Sequence, residues 1–276
     1  MSEILTNASD AQLGVAIEEN LFAFFRASSA VPGGALFESE TISTHDACQP
    51  AALFKGAWRA RLPPEQMDAA IVGVQDWFRA RGSDFFAWWF NSTQPPELFE
   101  RLEAHGFELD YSAPGMALDT ATLSETLVLP DGLEIIEARD EQTLTDWSLV
   151  LHAANQHYHL PMESAQAFEK ATLALGIHNA PWRLYVGYMD GKAVATNLAY
   201  NGGGVTGLFC IGTIPEYRGR GIGTAITLAP LYDARDEGYQ YGVLFASEFG
   251  MPVYERIGFR YVGMNIGRYV WSEERS

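Results

Sequence analysis

The run Cys210-Ile211-Gly212-Thr213-Ile214-Pro215-Glu216-Tyr217-Arg218-Gly219-Arg220-Gly221-Ile222-Gly223-Thr224 constrains this chain more than any other stretch. It starts as an apolar strand, turns at Pro215, passes through a basic loop rich in glycine and continues as a helix. Glycines in such a loop let successive backbone N–H groups point into one concavity, and the following helix adds the positive end of its dipole. A pyrophosphate fits there without any lysine. Two familiar phosphate loops are excluded. The Gly-Lys-Ser/Thr ending of a Walker A loop is missing, and Gly219, Gly221 and Gly223 lack the more distant third glycine of a dinucleotide fingerprint.

The pattern Arg218-x-x-Gly221-x-Gly223 after a strand and before a helix resembles motif A of the GNAT family, the GCN5-related N-acetyltransferases. A second stretch, Tyr254-Glu255-Arg256-Ile257-Gly258-Phe259, resembles that family's Tyr-Glu-x-x-Gly-Phe signature. The resemblance implies an α/β fold, a mixed twisted sheet with helices on both faces, and acetyl-CoA as co-substrate. It implies that the pantetheine arm pairs with the main chain at Ile211, Gly212 and Thr213. The pyrophosphate is expected on backbone N–H groups of Arg218, Gly219, Arg220, Gly221, Ile222, Gly223 and Thr224, helped by the charge of Arg218 or Arg220. Tyr254 is expected to be the general acid that protonates the leaving thiolate. Ser247 stands where many members carry a cofactor-contacting asparagine, and a hydroxyl there makes fewer hydrogen bonds than an amide.

Apolar spacing predicts helices at 10–26, 65–81 and from Leu98 to Gly106, and strands at 35–45, 51–61, 85–90 and from Phe107. The turn signal Pro130-Asp131-Gly132 marks a linker at 121–131 between domains at 1–120 and 132–276. The second domain reads as strand 133–138, helices 141–155 and 164–175, strands 182–188, 192–200 and 205–214, helix 222–237, strand 241–246, helix 251–257 and closing strands 259–271.

An internal repeat sharpens this reading. Helix, glycine, strand, proline, helix and Gly-Phe recur from Ala69 to Phe107 and from Ala225 to Phe259. Where the second copy has Arg218 to Gly223, the first has Leu62-Pro63-Pro64-Glu65-Gln66-Met67, in which the prolines remove N–H donors and Glu65 repels a phosphate. Leu98 or Phe99 replaces Tyr254. The first copy is therefore expected to be a degenerate GNAT-like domain that helps shape the acceptor cleft.

The net charge of −17 argues against nucleic acid as a partner and favours a cationic small molecule or peptide amine as acceptor over an anionic one. Hydrophobic residues make up 47% of the chain, enough for a well-cored globular protein, yet no apolar run reaches membrane-spanning length. The polar start Met1-Ser2-Glu3 has no signal-peptide pattern, so a cytoplasmic location without membrane attachment is expected. Cys48 and Cys210 lie far apart, with no metal-ligand spacing. His152, His157 and His159 lack a carboxylate or cysteine at matching spacing, so they read as acceptor-binding or surface histidines and no metal is expected. The general base is left open; Glu248 is one candidate. A non-catalytic acyl-CoA sensor with the same fold remains the alternative to an enzyme.

Overall fold

The computed structural model describes residues 3–273. Its contacts divide the chain into two compact units, one of Met1–Phe24 with Gly115–Gly263 and one of Phe25–Pro114 with Met264–Ser276. Each contains mixed-sheet strands with helices packed against them, giving an α/β protein.

In the first unit β6 (Leu133–Glu137), β7 (Trp182–Met189), β8 (Lys192–Gly202) and β9 (Val205–Thr213) form an antiparallel meander. β10 (Tyr241–Phe245) then lies parallel to β9, and the end of β5 (Glu108–Asp119) pairs antiparallel with β10. The parallel pair needs a crossover, which α6 (Ile222–Asp236) supplies. The apolar faces of α4 (Glu141–Ala154) and α6 meet the sheet through Val150, Ala154, Ile222, Ile226 and Leu231, all buried. Asp140 caps α4 by accepting from Thr143 N–H at 2.8 Å.

Helix α6 contains Pro230, which has no N–H to give the carbonyl of Ile226 one turn earlier. Asn197 on β8, fully buried, donates its Nδ2–H to that carbonyl at 2.8 Å. The Asn197 carbonyl in turn accepts from the indole N–H of Trp147 at 3.1 Å. Asn197→Leu is expected to lower the unfolding free energy by about 1–3 kcal/mol, because it leaves a buried carbonyl unpaired. Adding Pro230→Ala to that variant supplies the missing N–H, so urea titrations of the two single variants and the double should show a non-additive recovery.

In the second unit β1 (Ala35–Glu38) pairs antiparallel with β2 (Ser43–Asp46), and β2 pairs antiparallel with β3 (Lys55–Trp58). β4 (Phe85–Asn91) is parallel to β3, with α2 (Met67–Ala80) between them and α3 (Pro96–Ala104) following. The core is aromatic: Phe78 stacks on Phe86 at 4.1 Å, and Phe86 meets Trp271 at 5.4 Å. The strand expected at 35–45 is a hairpin, because Glu40 and Thr41 form a turn in which Ser39 Oγ accepts from the N–H groups of Thr41 and Ile42. The strand expected at 51–61 is shortened by a 3-10 turn at Ala52–Phe54.

The units are cut differently from a division into 1–120 and 132–276. The first part of α1 (Asp10–Ser28) goes with the first unit because Asn20 Nδ2 donates to Tyr200 O at 3.0 Å and Gly202 O at 2.9 Å, and the Tyr200 hydroxyl donates to Ala23 O. The closing strand β11 (Arg260–Ser272) goes largely with the second unit, since Ile266–Ser272 pairs antiparallel with Asn91–Phe85. Among the described residues no helix is long and apolar enough to cross a membrane.

Candidate active site

The first unit carries a cleft of ≈ 470 Å³ at the carboxyl ends of β9 and β10. It exists because the two strands separate. Their parallel register covers Thr206–Gly207 against Gly242–Val243, and among the described residues it goes no further. On its other side β9 carries a bulge: Thr196 faces Gly212 while Leu198 faces Phe209, so β9 has one residue too many. Cys210 absorbs it in the left-handed region, φ 53°, and its carbonyl accepts from Thr196 Oγ1 at 3.0 Å. The bulge turns the main chain of Ile211, Gly212 and Thr213 along the cleft wall, and all three residues line it.

The floor is the glycine loop. Gly219 and Gly221 have φ of +75° and +80°, a conformation that costs an L-residue about 1–2 kcal/mol and a glycine almost nothing. Gly221 is the N-cap of α6 and brings no side chain to the free N–H groups of the first turn. Arg218, Gly219, Gly221, Gly223 and Thr224 line the cleft. Two residues of the expected set do not. Ile222 points into the core at 1% exposure, so only its main chain belongs to the loop surface. Arg220 lies over the Tyr217 ring at 4.9 Å and donates to Glu216 O. Arg218 has structural duties as well as a place in the wall, donating from Nε to Thr213 O at 3.0 Å and from NH2 to Ala154 O at 2.9 Å. It thereby ties the end of β9 to the last carbonyls of α4.

Tyr254, on α7 (Met251–Arg256), lines the same cleft. Its residue is 8% exposed, and among the described residues its hydroxyl makes no hydrogen bond to protein. Burial, with Tyr158 nearby, pushes its pKa well above the usual tyrosine value, so it holds its proton at neutral pH. The ring packs on Gly250, where a Cβ would come within 2.6 Å of it. Gly250 was not singled out from sequence, although its position one helical turn before Tyr254 is the signal that could have found it. Ser247 lines the cleft, and its hydroxyl oxygen accepts from Gly250 N–H at 3.2 Å, which leaves the hydroxyl proton available to a ligand.

His157, Tyr158 and Phe249 also line the cleft, none of them assigned a role by the glycine-loop pattern. His157 meets Tyr158 at 3.9 Å and Phe249 edge-on at 4.9 Å. His152 is engaged instead with Leu160 O and Gln156. Glu248 is not among the lining residues, and neither is any other carboxylate; the charged residues there are Arg218 and Arg256. The acidity of the whole chain is therefore not carried into the cleft, and it gives no local reason for preferring a cationic acceptor. Among the described residues no cluster of three His, Cys, Asp or Glu is arranged to hold a metal ion.

The family model described as an acetyltransferase (GNAT) domain matches residues 186–262, which span the bulge, the glycine loop and Tyr254. No curated protein matches the chain. Among solved structures, a GCN5-related N-acetyltransferase from Kribbella flavida is similar with a TM-score of 0.69 and 16% identity, covering 92% of this chain and 95% of its own. A GCN5-related N-acetyltransferase from Sphaerobacter thermophilus gives 0.59 and 13%, covering 99% and 95%. A tandem GNAT protein from the clavulanic acid biosynthesis pathway gives 0.58 and 16%, covering 97% and 96%. Residues 186–262 thus match a GNAT-domain model, and the fold along nearly the whole length is similar to that of solved GNAT proteins.

Proposed function

We propose that this chain is an acetyl-CoA-dependent N-acetyltransferase of tandem GNAT build that acetylates an amine of a small molecule or peptide. The observation that carries the reading is the meeting of the glycine loop and Tyr254, remote in sequence, on the walls of one cleft. The backbone N–H groups around Arg218–Thr224 would take the pyrophosphate of the co-substrate, with the uncapped start of α6 favouring its negative charge. The main chain at Ile211–Thr213, held away from β10, would run beside the pantetheine arm. The residues present fit that ligand: the loop has glycine where φ is positive, and Gly223 puts no side chain into the space. Ser247 would add one hydrogen-bond donor.

Acyl transfer to an amine then needs a held thioester, a free amine and a proton for the departing thiolate. Tyr254 would give that proton. The earlier half acts as the degenerate partner, because Pro64–Gln66 forms a 3-10 turn at the loop position and Leu98 is a core residue at 1% exposure. Acetyl-CoA at a hundred times its dissociation constant should stabilise the protein by about 2.7 kcal/mol, visible as a rise in melting temperature. An enzyme should also release free CoA only when a suitable amine is added. A melting shift with no amine-dependent release across a broad amine panel would leave a CoA-binding sensor and remove the enzyme.

A further inference from the structure

We propose that His157 is the group that takes the proton from the acceptor's ammonium and so generates the amine that attacks the thioester. The assignment rests on the acetyltransferase reading and adds the base which that reading lacks. Elimination within the cleft points to it first. No carboxylate lines the cleft, Arg218 and Arg256 cannot accept a proton, and burial keeps Tyr254 a neutral phenol. His157 is the histidine of the lining, and among the described residues its ring nitrogens make no hydrogen bond to protein. His152 is unsuited because both its ring nitrogens are engaged.

Placement supports the role. The His157 ring is held between Tyr158 at 3.9 Å and Phe249 at 4.9 Å, where the turn after α4 meets the loop before α7. Its residue is exposed, so a proton taken from the acceptor can pass on to water. The titratable and charged groups facing it across the cleft are Arg218 of the glycine loop, Tyr158 of its own turn, and Tyr254 and Arg256 of α7. Slight desolvation first and Arg218 second hold its pKa below the usual histidine value, which favours the free base.

Proton balance is complete without another reactant. One N–H of the ammonium breaks and its proton goes to His157, then to solvent. The nitrogen lone pair forms the new bond to the thioester carbon. The C–S bond breaks as Tyr254 protonates sulfur, and the second nitrogen proton restores the tyrosine. One proton is released per amide formed.

The test compares the pH dependence of kcat/KM in the parent, His157→Gln and His157→Ala, with a panel of primary amines and acetyl-CoA. The melting shift with acetyl-CoA serves as the control for folding and binding. General-base loss should lower kcat/KM by about 10²–10⁴-fold. The parent's acid limb, falling as pH drops through a value below 6.5, should vanish in His157→Gln, and added imidazole should partly restore His157→Ala. Equal rates and parallel pH profiles in parent and variants would overturn the assignment and leave the transferase standing. Absence of transfer by the parent would bring down the transferase reading and the assignment with it.

Discussion

Tyr254→Phe is expected to lower kcat by about 10²–10⁴-fold while leaving the melting shift with acetyl-CoA intact. The variant removes one oxygen from a hydroxyl that has no protein partner among the described residues. It keeps the ring that packs on Gly250 and lies 5.9 Å from Phe259. Fold and cofactor cleft should therefore survive, and the loss should fall on the chemical step. The pH dependence has a definite sign. The acid form of Tyr254 is the protonated one, and its pKa is raised, so it stays fully protonated up to and past pH 10. The parent should show no loss of activity from this group between pH 6 and 9. Stopped assays of CoA release over that range check both points, and unchanged turnover in the phenylalanine variant would remove Tyr254 as the acid.

The raised pKa also says something about how such an acid works. A phenol with so raised a pKa gives its proton to a thiolate uphill. Burial makes the tyrosine a reliable holder of a proton at the cost of some acidity. The proton is restored when the nitrogen of the tetrahedral species passes one to the tyrosinate. Hence the acid and the acceptor amine are coupled, and a poor acceptor should expose the loss of Tyr254 more than a good one.

How much of this was legible in the sequence depends on range. Local signals carried far: the helix at 10–26 runs to Ser28, and Gly82 and Gly106 end their helices with positive φ. The glycine loop, Ser247 and Tyr254 were readable because a tight turn before a helix and an aromatic on a short helix are local patterns, and they line one cleft. What escaped was set by partners distant in the chain. The closing strand looks the same in sequence whether it pairs with a neighbour or, as found, with Phe85–Asn91. Asn20 reads as an ordinary polar position on a helix until its amide is seen to bridge Tyr200 and Gly202. Cys210 gave no sign of a bulge, since its left-handed backbone is imposed by the unequal lengths of β8 and β9 between paired residues. Arg220 is a converse case: its place in the loop was plain, but the stacking of its side chain on Tyr217, away from the cleft lining, was not.

Gly221→Glu should abolish the acetyl-CoA melting shift at concentrations that saturate the parent. Two separate effects act at this position. The first is conformational: φ is +80°, so any L-residue costs about 1–2 kcal/mol, and a Cβ would lie 3.5 Å from Pro130 Cγ, an ordinary contact. The second is electrostatic. A carboxylate at the N-cap of α6 occupies the place where first-turn N–H groups would meet a pyrophosphate, and like charges brought together there cost several kcal/mol. That is on the order of a hundred-fold or more in affinity. Gly221→Ala carries the same backbone strain without the charge and so separates the two effects. Both variants should lose similar unfolding free energy in urea, because both pay the same backbone strain. Only the glutamate should lose binding outright, with the alanine weakened by the disturbance of the loop. Equal loss of binding in the two would show that loop conformation alone governs the site. A full melting shift in Gly221→Glu would move the co-substrate out of the glycine loop, and the transferase reading would lose the observation on which it stands.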